Sequence, residues 1–282
     1  MLKLRDWIES INLNSTFLSL NPNAISYLEE HPEKIKWFYL SSNKEAIPIL
    51  EKNQDKIHWD VLSKNPSAIR LLEKNQDKID WDMLSSNPAA IHLLTSNPDK
   101  INWERLSRNP GAIQLLEKNP EKIYWTNLSC NPGAIHLLEA NPDKIDWTSL
   151  SCNINAIHLL EANPDKIEWH CLSGNKNAIR LLEKNPDLIK WEPLAFNENA
   201  RPLFEKYPER IDWYFMSSNP ELFYLIEKCD FFKIDMARLA ENPAIFTYDY
   251  TKMSRPFTEE LMQNRFHPQN IGRFESWGYD SL

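Results

Sequence analysis

Glycine is nearly missing from this chain, with five in 282 residues. That scarcity leaves no Gly-rich loop to cradle a phosphate, and G-x-S-x-G, H-E-x-x-H and Cys-x-x-Cys are all absent too. No apolar run approaches the roughly 20 residues of a membrane-spanning helix, and the mean hydropathy is −0.55. Basic excess is also lacking: 32 Lys and Arg against 40 Asp and Glu give a formal charge of −8, which argues against a general nucleic-acid or membrane-surface binder. The four cysteines form no framework. Cys130 and Cys152 share one position of adjacent repeats, so their Cα atoms should lie about 8 to 10 Å apart, beyond the ~7 Å limit of a disulfide. Reduced thiols are expected. The start, MLKLRDWIES, has early charges and no apolar h-region, so it reads as a mature, intracellular chain.

What is present is one motif, copied. Trp37, Trp59, Trp81, Trp103, Trp125, Trp147, Trp169, Trp191 and Trp213 recur every 22 residues, as do the asparagines from Asn21 through Asn219. Counted from its first Asn, the unit reads NPxAIxLLEx followed by NPDKIxWxxLSx, and Asn87 to Arg108 is representative. A chain this regular is a repeat array.

Both halves open with Asn-Pro, a helix start: Asn supplies a capping oxygen, and Pro has a preset φ and lacks only a donor the helix would not use. In the first half Ala90, Ile91, Leu93 and Leu94 fall on one side of a 3.6-residue helix. In the second half Ile at position 15 and Trp at 17 would lie on nearly opposite faces of one continuous helix. The spacing therefore predicts a single turn over Pro-Asp-Lys-Ile, then a short helix carrying Trp and Leu at 17 and 20, in pieces that are often 3₁₀. One unit cannot stand alone. Its six large apolar side chains contribute roughly 10 to 15 kcal/mol, less than the ordering cost of about 1.5 kcal/mol per residue, so layers must stack.

The pattern divides the chain into an N-terminal helical cap over 1–20, a repeat array over 21–241 and a C-terminal helical cap over 242–282. Leu4, Trp7, Ile8 and Ile11 have amphipathic-helix spacing, and Leu13, Phe17 and Leu18 continue as a degenerate half-repeat. One residue is inserted around Cys229 to Phe232, and Met236 stands at the last Trp position. Phe257, Leu261 and Phe266 suggest a capping helix before Pro268.

The unit NPxAIxLLExNPDKIxWxxLSx resembles the tandem 22-residue repeats of many paralogous proteins of giant DNA viruses infecting amoebae, and the FTEELMQNRFHP tail resembles their endings. The resemblance covers nearly the whole chain. It implies a protein made in an infected host, in the cytoplasm, a viral factory or a virion, and brings no catalytic residues with it. A leucine-rich-repeat-like solenoid is the rival fold, since 22 lies in that family's range. Its middle Leu would fall on position 18, where Asp60, Asp82, Glu104, Thr126 and Thr148 stand. Leucine-rich-variant arrays, alternating an α helix with a shorter one, are the closer analogue.

Candidate chemistry is sparse. His92, His136 and His158 share the exposed position 6, but lie a layer or more apart, too far to converge on one metal. The Trp ladder reads as core or rim rather than a stacking platform, and the repeated Asn residues as internal caps. Positions 18, 19 and 22 vary most between copies. The candidate partner-binding residues are Asp60, Val61, Asp82, Met83, Glu104, Arg105, Thr126, Asn127 and His170, with Phe38-Tyr39 and Tyr214-Phe215 at the same two positions. Exposure alone explains such variation. The sharper reading makes the short-helix face a recognition surface, as in other solenoids.

The expectation is an all-α, elongated solenoid of about ten two-helix layers, capped at both ends. It would be a non-enzymatic protein–protein interaction scaffold without cofactor, metal, nucleic-acid or membrane partner. The alternative is a structural component that self-assembles as a homo-oligomer.

Overall fold

The computed structural model describes residues 2–9, 13, 15–227 and 233–248, and it is an all-α solenoid. The layer beginning at Asn109 shows how a unit folds. Asn109 Oδ1 accepts from the Gly111 backbone N–H at 2.9 Å and starts a 3₁₀ turn, Pro110–Ala112, that runs into the first helix, Ile113–Glu117. A second 3₁₀ turn, Pro120–Lys122, leads to the second helix, Trp125–Ser129. The break between Ile and Trp is thus as the spacing required, although the last piece is α rather than 3₁₀. Where the residue before Trp is a capping type it caps: Asp80, Asn102 and Asp146 accept the N–H three residues on, from Met83, Arg105 and Ser149.

The second Asn of the unit acts differently from expectation. Asn119 Nδ2 donates back to the Leu115 carbonyl at 2.8 Å, closing the first helix rather than opening the next turn. Its φ of −136° and ψ of 60° explain this, because its side chain is turned away from the following N–H groups.

Layers are joined by polar groups as well as by Leu116, Leu128 and Ala112, which are fully buried. Asn109 Nδ2 donates both protons to the preceding layer, to Ser85 O and Asn87 O, each at 3.0 Å. Ser107 Oγ donates to Trp103 O at 2.8 Å and accepts the N–H of Tyr124, one layer on, at 3.0 Å. At position 3 the layers nearly touch: a Cβ on Gly111 would meet Pro88 O at 2.6 Å. Where Asn fills that position, at Asn23, Asn155, Asn177 and Asn199, its side chain bridges the gap, as Asn155 does to Pro132 O.

The ends of the array meet, and here the structure departs from the elongated, end-capped form. Strand β1 (Leu2–Leu4) pairs antiparallel with β2 (Phe246–Tyr248), Leu2 opposite Tyr248 and Leu4 opposite Phe246. Arg5 follows with its N–H on Ile245 O at 3.0 Å and its Nε on Ala244 O at 2.8 Å. Asn21 Nδ2 donates to Ala240 O and Asn242 O at 3.0 and 2.9 Å, the same pair of bonds that the first Asn of every later unit makes to the layer before it. Asn242 in turn donates to Ser217 O and Asn219 O, its spacing lengthened to 23 residues by the insertion.

The N-terminal segment is therefore the missing half of an eleventh layer, completing the turn Pro243–Ile245. Helix α2 (Ser15–Leu18) packs on Met236–Glu241 as second helices pack in successive layers. Helix α1 covers only Asp6–Glu9, with Leu4 in a strand, so the amphipathic helix expected from Leu4 onward does not form; Ile11 lies outside the described residues. Trp7 stacks on Phe223 at 6.1 Å. The expected C-terminal helices around Phe257, Leu261 and Phe266 also lie outside the described residues. The two ends pair because each face offers the donors and carbonyls the other needs, and buried backbone groups left unmatched are costly. The leucine-rich alternative is set aside, since the only strands among the described residues are this three-residue antiparallel clasp.

In a closed ring, spacing between equivalent groups grows with distance from the axis. Second helices of successive layers touch one another directly, whereas first helices do so far less. The second helices therefore line the inside. Eleven of them at about 8 to 10 Å apart lie on a circle of radius roughly 14 to 18 Å, which leaves an opening on the order of 20 Å once their own half-thickness is removed.

Candidate functional site: the inner lining of the ring

On each second helix the residues at positions 20 and 21 are buried in the layer core, mostly Leu and Ser as with Leu128 and Ser129, with Met216 at 20 and Ala195 and Ala240 at 21 in the last layers. Positions 18, 19 and 22 lie on the opposite side, toward the axis. All nine candidate residues, Asp60, Val61, Asp82, Met83, Glu104, Arg105, Thr126, Asn127 and His170, are thereby brought to one inner surface, where position 18 is mostly exposed and position 19 half-buried. Several are already engaged across layers. Arg105 Nε holds Asp82 Oδ2 at 2.7 Å, Asn102 Nδ2 also donates to Asp82, and Asn127 Nδ2 donates to Glu104 O at 2.9 Å.

Closure adds residues that the linear reading kept apart. Phe196, Tyr214 and Phe215 come from the end of the array, Phe17, Phe38 and Tyr39 from its start, and the seam makes them neighbours along one arc. Phe196 and Phe215 meet at 6.0 Å, Tyr214 and Phe215 at 5.1 Å, Phe17 and Tyr39 at 6.4 Å, and Phe38 and Tyr39 at 5.2 Å, mostly edge-to-face. Phe38, Phe196 and Tyr214 are 47, 47 and 48% exposed, high for large aromatic side chains in a protein with so closed a core. Between the two groups sits Arg238, its guanidinium carbon 4.6 Å from the Tyr214 ring centre, 5.4 Å from Phe196 and 5.6 Å from Phe215.

Phe38, Tyr39, Tyr214 and Phe215 stood out in the sequence as variable pairs. Phe17, Phe196 and Arg238 did not. A signal existed for Arg238, which falls on position 19 once the single insertion before Asp235 is counted, but only the packing of successive layers brings it to Phe196, Tyr214 and Phe215.

The remaining arc is polar. His170, Cys171 and Cys152 lie there, and burial, reinforced by the neighbouring Cys152 thiol and Glu168 carboxylate, pushes the Cys171 thiol up to about 12. Burial opposes ionisation of Glu168, yet N–H donors from Cys171 and His170 hold it below the usual carboxylate range. Burial raises Glu241, next to Arg238, which partly offsets the effect.

Outside the lining, the other sequence candidates have local partners. The His92, His136 and His158 rings each contact a Glu of the preceding layer, Glu73, Glu117 and Glu139, at 2.8, 2.8 and 3.0 Å. Each central Trp is half-buried under a Lys from the next layer, as Lys122 lies 4.5 Å over Trp103. Among the described residues no cluster of three or more His, Cys, Asp or Glu is arranged to hold a metal ion, and no helix is long and apolar enough to cross a membrane. No protein family, no curated protein and no solved structure matches the chain.

Proposed function

We propose that the chain is a non-enzymatic, ring-shaped interaction scaffold that takes a segment of another protein on its inner face. The observation that carries this reading is the aromatic arc, in which side chains from both ends of the chain stay half exposed on one concave surface. Exposed aromatics are costly to keep in water and are the side chains that dominate binding energy at protein interfaces. The varied lining supports the same reading, because the fold is held by positions 1, 5, 8, 17, 20 and 21 and leaves 18, 19 and 22 free to differ.

The resemblance to viral repeat proteins supplies the setting for a test. A photo-crosslinking residue at Phe196, in an extract of virus-infected amoebae, should capture a partner that the double substitution Phe38→Ala with Tyr214→Ala loses. Tyr124→Ser, at the exposed position 16 outside the lining, should leave capture intact. Capture indifferent to the lining substitutions would overturn the reading. Concentration-dependent oligomers on light scattering, abolished by those substitutions, would put self-assembly in its place.

A further inference from the structure

Four of the eight described arginines hold a carboxylate, and Arg238, like Arg70, Arg108 and Arg180, does not. Arg5, Arg105, Arg201 and Arg210 each hold a carboxylate, on Glu227, Asp82, Glu205 and Glu209. Among the described residues Arg238 forms no ion pair within 4 Å, although Glu241 lies near it on the same helix; its backbone N–H is bonded to Asp235, and its guanidinium carbon lies 4.6 to 5.6 Å from the centres of three aromatic rings. Rings pack against the flat faces of a guanidinium and leave its edge, with its fixed fork of N–H donors, unused. Such an edge, half-buried and held in place by rings, matches the two oxygens of a carboxylate.

We propose that Arg238 with Phe196, Tyr214 and Phe215 forms a binding site for an extended acidic peptide, in which one Asp or Glu side chain is flanked two residues away by large apolar side chains. The inference rests on the scaffold reading above and names the chemistry of its partner. The spacing follows from the lining itself. Aromatic rings of successive layers stand 6.0 and 6.4 Å apart, and alternate side chains of an extended chain repeat at about 6.4 to 6.8 Å. The carboxylate sits on the Arg238 fork while the flanking apolar groups lie on Phe196 and Tyr214 on one side and, across the seam, toward Phe17 and Tyr39 on the other. A nucleic acid is disfavoured, because Asp60, Asp82, Glu104, Glu192 and Glu241 share the inner face and would repel a charge at every nucleotide, whereas the peptide brings a single carboxylate, placed on the Arg238 cation.

The test uses the full chain and a fluorescein-labelled peptide, Ser-Phe-Ser-Glu-Ser-Leu-Ser, followed by anisotropy. Saturable binding is expected, weakened at least tenfold when Gln replaces the peptide's Glu and at least tenfold by Arg238→Gln. Arg238→Lys should recover only part of the affinity, since an ammonium lacks the fork. Arg201→Gln on the outer helix should change nothing, and unaltered melting of Arg238→Gln shows that the ring still closes. The proposal is overturned if the parent protein does not bind the peptide, if Arg238→Gln binds it equally well, or if single-stranded oligothymidine displaces it more readily than unlabelled peptide does. It is also overturned if a crosslinking residue at Tyr214 captures the chain's own residues 249–282 in the purified protein. Should the peptide fail while capture from extract still depends on Phe38 and Tyr214, the scaffold reading stands and only the acidic partner is lost.

Discussion

The side-chain amide of Asn21 donates to the backbone oxygen of Asn242 at 2.9 Å, across 221 residues of sequence. The same bond links Asn43 to Asn21 at 3.1 Å, so the joint between the two ends is made of the same parts as every internal joint. The first and last layers are consequently neighbours, and every layer is held on two sides.

Closure predicts a covalent trap. Lys3 and Thr247 are paired residues of the antiparallel clasp, and paired Cα atoms at about 4.5 to 5.5 Å suit a disulfide. With the four native cysteines changed to serine, Lys3→Cys with Thr247→Cys should cross-link within one molecule on mild oxidation, seen as a mobility shift reversed by reductant. Absence of the cross-link, together with scattering from a rod of about 80 to 100 Å (ten layers at the packing distance of helices), would return the molecule to an open array.

The buried asparagines should be among the costliest polar positions. Asn109 is 1% exposed and makes three hydrogen bonds, two of them to the layer before. Asn109→Ala strands the Ser85 carbonyl and the Gly111 N–H and leaves Asn87 O only its bond from the Ala90 N–H, and should lower stability by about 2 to 4 kcal/mol. Asn109→Asp should be worse, because an ionised oxygen would face two carbonyl oxygens. Urea unfolding midpoints measure both, and a change below about 0.5 kcal/mol for either would contradict the ladder.

Trp103 and the Lys122 above it separate packing from surface charge. Trp103 is half-buried against the core, so Trp103→Ala should cost about 3 kcal/mol and broaden the unfolding transition as neighbouring layers uncouple. Lys122→Ala removes only the cation over the ring, with an expected loss of about 0.5 to 1 kcal/mol. Thermal melts unshifted for Trp103→Ala would make the Trp row a surface platform instead.

Glu241 should set a shallow pH dependence at the seam. Burial raises its folded-state pKa above that of the unfolded chain, so its contribution favours the folded state in acid and is lost as pH rises out of the ordinary carboxylate range. Glu241→Gln removes that loss. At neutral pH the substitution should stabilise the ring by no more than about 0.5 kcal/mol, given the solvent around this partly open group, and should flatten the stability profile as pH rises out of the ordinary carboxylate range. A destabilised Glu241→Gln at pH 7 would mean that its ionised form is a favourable partner of Arg238.

Much of one layer was legible in the residues because its causes are local. The Asn-Pro starts, the incompatible faces of Ile and Trp and the capping residues before Trp act within a few positions, and they predict the break between the 3₁₀ turn and the second helix. The roles of Ser107 and Asn109 were not legible, since the same Leu-Ser-x-Asn-Pro string would suit a plain turn; only an adjacent layer turns their spare donors and acceptors into joints. The same limit applied to the aromatic arc, whose members were visible one by one at positions 18, 19 and 22.

The sequence by itself determined the repeat, its period and the helical character of each layer. Tertiary structure alone decided that the array closes, because closure depends on a rotation of about 33° per layer summed over eleven layers. That rotation is fixed by how closely residues such as Gly111, which has no Cβ, and the buried Ala112 and Leu128 let neighbouring layers approach, and an error of a few degrees in each would leave an open spiral. Asn242-Pro243-Ala244-Ile245 carried an eleventh copy of the layer start in plain view, but its meaning required Leu2 through Leu20 to arrive from the other end of the chain.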